Sequence, residues 1–319
     1  MERYVLSDLV WTMEKRCESV QVVGLGQVCV DYVGHVPDYP TEDTKVELEG
    51  LFTGCGGPAA TALVTLTRWG VRTSFLGSIS DDAFGLRIVE GLQNEGVDIS
   101  LLNVTPGLSS QFAFIAVSRE AGQRTIFWQR SSAPELSPGH VGLEPFPNAR
   151  ILHVDGLMLE AAQAAAEQAV RRNMTVVMDA GTLRQGSLDL ISRVHVLIAS
   201  EPFAHALAGT DRSYEEVLQE LREMGPRQVV ITLGAKGSVG LDPDGIVRQA
   251  AFPVVSKNTT GAGDVYHGAY IYGLLKGYDM AACMAFASAA AALKCQNGRG
   301  WEGIPDKETV NRLLRQGDG

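Results

Sequence analysis

The sequence predicts an α/β fold: a three-layer, doubly wound, mostly parallel sheet with helices on both faces, plus a small β-flap lid. Two observations predict the core. Strand-like hydrophobic runs alternate with helical patterns along the chain, and such alternation builds parallel strands joined by crossover helices. The helical stretches also carry caps and stops of their own. A third observation predicts the lid. The segments Tyr32 to Phe52 and Gln111 to Gln129 alternate apolar and polar positions with no helical period, as half-buried strands do.

Residues 19–30 (SVQVVGLGQVCV) are expected to form a hydrophobic first strand. A helix is expected over 57–69, stopped by Gly70, then a strand over 73–77. The helix predicted over 83–95 has Asp81 or Asp82 as N-cap and Gly96 as its stop. Further strands are predicted over 151–154, 175–179, 194–199 and 228–233, with helices over 160–172 and 213–224. A β-rich run at 252–255 precedes two final helices, 263–276 and 280–294. Pro37, Pro40 and the alternation at Lys45-Val-Glu-Leu-Glu mark the first lid segment, and a turn at Glu120-Ala-Gly122 divides the second. A flap of this kind can cover a substrate and exclude water; two solvent-facing hairpins without a role would read the same way. The expected division is an N-terminal extension, 1–18, and one domain, 19–316, with the lid segments inserted at about 32–52 and 111–129.

The chain has 319 residues, enough for one large core. Hydrophobic residues make up 45% and charged residues 20%, ordinary for a soluble enzyme. A net charge of −10 argues against nucleic acid as a main partner, since a phosphate backbone rewards a basic face. The five cysteines show no C-x-x-C and no metal-ligand spacing with the six histidines, so thiols in a reducing cytosol are expected. The N-terminus is too charged for a secretory leader, and the longest apolar stretch, residues 281–293, is too short to span a bilayer. A cytoplasmic protein with no membrane partner is the expectation.

The most informative stretch is residues 258–268, Asn-Thr-Thr-Gly-Ala-Gly-Asp-Val-Tyr-His-Gly. Gly261, Ala262 and Gly263 let the backbone turn sharply and bring bare amides to a ligand. The helix that follows adds the positive end of its dipole, which makes the turn an anion site. Asp264 in the first helical turn would face that anion. An anion hole beside a fixed carboxylate suggests phosphoryl transfer to a hydroxyl, the carboxylate taking the proton. A Gly-rich turn beside an ordinary acidic residue is the plainer reading of the same residues. Gly24-Leu-Gly26 lacks the third glycine of a dinucleotide fingerprint, since Cys29 stands there. No Walker loop is present.

The whole string resembles the C-terminal signature of the PfkB, or ribokinase-like, family of sugar kinases, and the resemblance extends over roughly residues 20–315. It implies the ribokinase-like fold, an ATP donor and Mg²⁺. It also implies site residues. Asp31 would bond sugar hydroxyls, and Gly56-Gly57-Pro-Ala-Ala-Thr61 resembles the turn and helix beneath the sugar. Thr232-Leu-Gly234-Ala-Lys-Gly237 resembles the turn that holds nucleotide phosphates, although a plain hairpin reads likewise. Thr260 and Ser200 belong to the same nucleotide side, and Ser288 falls where relatives approach the adenine.

Several positions depart from the family pattern. Thr61 and Cys29 stand where asparagines are usual, which leaves the sugar open. Ser200-Glu201-Pro-Phe203 replaces an Asn-x-x-Glu that organises the magnesium shell, so the metal ligands stay unknown; Glu201 would have to act from a shifted position. Asn258 replaces an Asp that touches a monovalent-cation site, which makes K⁺ dependence uncertain. The wording Gly57-Pro-Ala-Ala-Thr-Ala, Val-Tyr-His-Gly-Ala and Ala-Leu-Lys-Cys looks closest to the sulfofructose kinase branch, whose sulfonate needs cations. Lys45 and Arg130 are candidates for that duty, or else solvated surface charges. The resemblance further implies a homodimer formed through the flap and a small-molecule sugar substrate. Two other readings remain open at this point, a nucleoside kinase of the same fold and a catalytically impaired ligand-binding relative.

Overall fold

The structure is a computed structural model that describes residues 17–118 and 124–317. Its main sheet has eight strands in the order Gly245–Gln249, Ser238–Asp242, Gln228–Thr232, Val196–Ser200, Thr175–Ala180, Ile151–Val154, Val22–Leu25 and Thr73–Leu76. The last six pair in parallel, while the first two join as an antiparallel edge.

Alternation along each strand sends side chains into two separate cores. Val22, Val177, Ile198 and Val230 pack on one face with Leu63, Tyr270 and Ala287. Val23, Leu152, Val176, Leu197 and Val229 pack on the other with Ala165, Leu218 and Leu221. Helices Pro58–Arg68, Ala262–Lys276 and Met280–Asn297 therefore cover the first face. Helices Leu159–Arg171 and Tyr214–Glu223 cover the second. The latter begins in a capping box between Ser213 and Glu216. Ala83–Asn94 is capped by Asp82, whose side chain accepts the Gly85 N–H at 2.8 Å. The fold is a three-layer α/β sandwich around a mostly parallel sheet.

The first strand is shorter than expected. It stops at Leu25 and leaves the main sheet, and a new strand, Cys29–Val36, opens a second sheet. Asp155 at the end of the neighbouring strand causes the break. Its carboxylate accepts the Gln27 N–H at 2.6 Å, and only a glycine fits at 26, where a Cβ would lie 2.1 Å from Asp155 Oδ2. The second sheet has four strands in the order Leu51–Gly56, Cys29–Val36, Phe112–Ser118 and Arg124–Gln129. Both lid segments thus contribute strands to one flap.

Other expectations fail for local reasons. Residues 252–255 form no strand: Pro253 has no N–H to donate, and Val255 is 82% exposed. The alternation at Lys45 to Glu49 lies in the exposed loop between Val36 and Leu51. Pro37 and Pro40 interrupt pairing there, and residues 37–50 are all exposed. The Glu120-Ala-Gly122 turn and residues 1–16 of the extension lie outside the described residues. Strand Ser238–Asp242 follows the hairpin reading at Thr232–Gly237, whereas the outer edge strand Gly245–Gln249, the short pair Ser78–Ser80 with Asn103–Thr105, and helices Ser187–Ile191, Glu201–Ala208 and Lys307–Gly317 were not anticipated. Among the described residues, no helix is long and apolar enough to cross a membrane.

Helix Ala262–Lys276 is seated against helix Pro58–Arg68 at Gly268, where a Cβ would meet the Ala62 carbonyl oxygen at 2.7 Å and Thr65 Cβ at 2.9 Å. Alanine is the better helix former by about 1 kcal/mol. Overpacking against backbone costs roughly 1–3 kcal/mol, so the clash wins. Gly268→Ala is expected to lower the urea midpoint, and a raised midpoint would show that the two helices separate freely.

Candidate active site

Gly261 is the N-cap of helix Ala262–Lys276 and adopts the left-handed conformation, φ 77° and ψ 3°. A residue with a Cβ is strained there. The Ala262 N–H donates back to Thr259 O at 3.2 Å, so an incoming anion must displace that bond or use the neighbouring amides. The N–H of Thr260 donates to Asn258 Oδ1 at 2.8 Å. Asn258 is buried and shapes the loop as an Asx turn. Among the described residues, the buried Thr260 hydroxyl has no hydrogen-bond partner.

This turn borders a cavity of about 290 Å³. Its walls include Asp31, Gly56, Gly57 and Thr61 from the lid hinge, and Thr260, Gly261 and Asp264 from the turn. Gly57 has φ 103°, and a Cβ there would sit 2.4 Å from the Gln27 carbonyl oxygen. The backbone before helix Pro58–Arg68 therefore passes the Gln27–Val28 link between the two sheets closely. Gly56 leaves room for Asp31, whose Oδ2 would lie 2.1 Å from a Cβ at 56. Thr61 points its hydroxyl at Trp301, accepting the indole N–H at 2.9 Å. That contact fixes the floor of the cavity.

Acid groups near this floor are shifted strongly. Burial, reinforced by the charge of Asp179, pushes the Asp264 carboxyl up to about 7. A helix N-terminus favours the carboxylate by roughly 0.3–1 kcal/mol, less than the ~1.4 kcal/mol of one pKa unit. Burial therefore wins, and Asp264 is a better base than its place in the first helical turn suggests. Burial alone pushes Asp179 up to about 7. It also raises Asp155 to about 7, against the pull of its hydrogen bond from Gln27 N–H. Asp31 rises to about 6 through burial, opposed by the Cys29 thiol, which donates to Oδ1 at 3.2 Å.

The thiols of Cys29 and Cys55 are themselves pushed up by burial, Cys55 to about 11. They are poor nucleophiles. His267 is held below its ordinary value by burial. Its Nδ1 lies 2.7 Å from Gly263 O, which assigns the proton there, and Asp179 Oδ2 is 3.6 Å away.

Of the residues expected on the nucleotide side, Ser200 and Thr232 stand side by side at the ends of adjacent parallel strands. Ser200 caps the next helix by accepting the Phe203 N–H at 3.1 Å, and Thr232 donates to Ala199 O at 3.3 Å. Gly234 and Gly237 take positive φ, 59° and 98°, in a short 3₁₀ turn. That turn leads directly into an antiparallel strand, as a hairpin would. Ser288 is buried in helix Met280–Asn297. Phe203 is a core residue. Glu201 bonds the Tyr214 hydroxyl and pairs with Lys236 at 3.0 Å.

Lys45 lies on the exposed loop, and Arg130 pairs with Glu135 at 3.6 Å and stacks over Trp128. Neither borders this cavity. Arg124 and Lys294 do, together with Trp128 and Trp301, and sequence reasoning named none of these for the site. The one available signal was Lys294, a charge closing an otherwise apolar alanine-rich helix. The indoles supply the aromatic lining that a nucleoside acceptor would need. Among the described residues, no group of three or more His, Cys, Asp or Glu stands ready for a metal ion. The neighbouring carboxylates Asp179 and Asp264 nevertheless fit a hard ion that arrives on a nucleotide and keeps its waters.

Known proteins resemble this chain over nearly its full length. A 5-dehydro-2-deoxygluconokinase from Clostridium tetani is 26% identical, the match covering 94% of each chain. A nucleoside kinase from Methanothermobacter thermautotrophicus is also 26% identical, over 94% of this chain and 97% of its own. The structure of Arabidopsis thaliana ribokinase complexed with ribose and ATP superposes with a TM-score of 0.80 at 23% identity, covering 93% of this chain and 99% of that one. The family model described as pfkB family carbohydrate kinase matches residues 20–307. The chain accordingly belongs to that family and is a phosphotransferase with an alcohol acceptor.

Proposed function

We propose that this protein transfers the γ-phosphoryl group of ATP to a hydroxymethyl oxygen of a furanose, keto-sugar or related sugar derivative. One observation carries the reading: Asp264, with proton affinity raised to about 7, shares a cavity with the bare turn at Gly261 and with a second acid, Asp31. Asp31 bonds substrate hydroxyls and Asp264 orients the acceptor. The acceptor oxygen attacks the γ-phosphorus as its proton passes to Asp264, the bond to the β–γ bridging oxygen breaks, and ADP leaves with that electron pair. The amides of Gly261, Ala262 and Gly263 hold the charge on the transferring group, once the Ala262 bond to Thr259 gives way. Thr232, Gly234, Gly237, Thr260 and Ser200 line the nucleotide side, with Ser288 toward the base. Magnesium, held by the phosphates with Asp179 and Asp264 nearby, would neutralise phosphate charge.

A nucleoside acceptor is the second reading. Trp128 and Trp301 favour it, as does the name of the archaeal relative. The cavity volume favours the sugar, because about 290 Å³ stands at the lower edge of small-molecule pockets, roughly 300–1,000 Å³. Arg124 at the cavity wall favours an acceptor with an anionic tail, consistent with the name 5-dehydro-2-deoxygluconokinase. The exposed apolar side chains Leu51, Ile126 and Phe127 on the lid support a homodimer, which light scattering checks. ATP consumption across neutral sugars, sugar acids and nucleosides decides among acceptors. Turnover of nucleosides alone would remove the sugar reading, and binding without any turnover would make the protein a sensor.

Two further outcomes are expected. Asp264→Asn should lower kcat by about 10²–10⁴-fold, with KM little changed; near-full turnover would remove the base. The base must be unprotonated, so kcat/KM should fall as pH drops through about 7. An acid limb near pH 4 would mean that Asp264 keeps an ordinary carboxylate affinity in the free enzyme.

A further inference from the structure

Lys294 is 1% exposed and lies on helix Met280–Asn297 beside the anion turn. A buried ammonium is costly unless hydrogen bonds replace its water. Among the described residues, the Lys294 ammonium has no carboxylate in ion-pair contact. It donates instead to two backbone carbonyls, Thr260 O at 3.0 Å and Gly298 O. A third element closes in at Gly303, where a Cβ would sit 3.3 Å from Nζ. Carbonyl dipoles gathered around a compact monovalent charge are also how proteins strip the water from potassium. The ammonium therefore fills a position with the chemistry of an alkali-ion site.

The two carbonyls belong to different segments. Thr260 precedes the anion turn, and Gly298 follows the helix. The turn is stitched to the same place by the N–H groups of Lys257 and Asn258, which donate to Cys295 O at 2.9 and 3.3 Å. Asn258 is neutral, and its oxygen is engaged by Thr260 N–H, so no side-chain anion at 258 competes with the carbonyls for Lys294. A separate potassium ion does not fit beside an ammonium that already holds these oxygens.

We propose that Lys294 is a built-in monovalent cation, a positioning residue that holds the Asn258–Gly261 loop in its anion-binding shape, so that the protein needs no added potassium. For its kinetic effect the proposal rests on the kinase reading. For its effect on the fold it stands alone.

The test uses the full chain in choline chloride or potassium chloride at matched ionic strength, with two readouts, melting temperature and Mg-ATP-dependent sugar turnover. Wild type should show the same melting temperature and the same kcat in both salts. Lys294→Ala opens space at the carbonyls. It should melt several degrees lower and lose kcat on the order of 10²-fold, and potassium or ammonium chloride should restore part of both. Lys294→Met keeps the stem and fills the space, so it should suffer the loss without rescue. Potassium that raises the melting temperature or kcat of wild type overturns the proposal, and this arm needs no variant to fold. So does a folded Lys294→Ala that keeps full kcat, or one whose losses potassium and ammonium leave unchanged. Wild type that turns over no sugar in either salt counts against the kinase reading, while the melting arm still decides Lys294.

Discussion

A carboxyl group withdrawn from water beside a turn of small residues is the interaction on which the site depends. Asp264 owes its raised proton affinity to its surroundings. The sheet ends around it bring in Asp179, and the helix that carries it is locked down by His267 and by the glycine contact at 268. Because the strands that build this floor run in parallel, their carboxyl ends open on the same side, where open α/β sheets gather ligands. The packing of alanine-rich helix Met280–Asn297 then delivers Lys294 to the same corner.

The lid depends on a second acid. Asp155 captures the Gln27 amide just as the first strand ends, and the chain is turned out of the main sheet into the flap. Asp31 therefore stands on a lid strand, three residues after the crossover ends at Val28. The hinge that places it is made of backbone so close to its neighbours that Gly26, Gly56 and Gly57 tolerate no side chain. The placing of Asp31 and the attachment of the flap are in this way one structural feature.

Much of this was legible in the sequence where local chemistry decides. The strand at 151–154, the Asp82 cap and the Gly-rich turn before Asp264 each carry a signal within a few residues. The split of the first strand was not legible, because its cause lies at Asp155, far along the chain. Residues 252–255 read as β-rich, yet they join no sheet among the described residues, since Pro253 has no N–H to donate. Of the residues lining the cavity, Asp31, Thr61 and Asp264 stand out through their neighbours in sequence. Arg124, Trp128, Trp301 and Lys294 have no such company, and only the packing of the flap strand and the last helices around the turn brings them to the cavity. The raised proton affinity of Asp264 was not legible either. Its position in a first helical turn is visible in the sequence, but its burial is not.

The most direct test of this account is a carbon-13 NMR titration of the Asp264 side-chain carboxyl in the free protein, assigned by loss of the signal in Asp264→Asn. A midpoint near 7 is the result the account predicts. A midpoint near 4, the ordinary range for an exposed aspartate, would mean that water reaches the group freely and that the buried acid at the heart of the site does not exist.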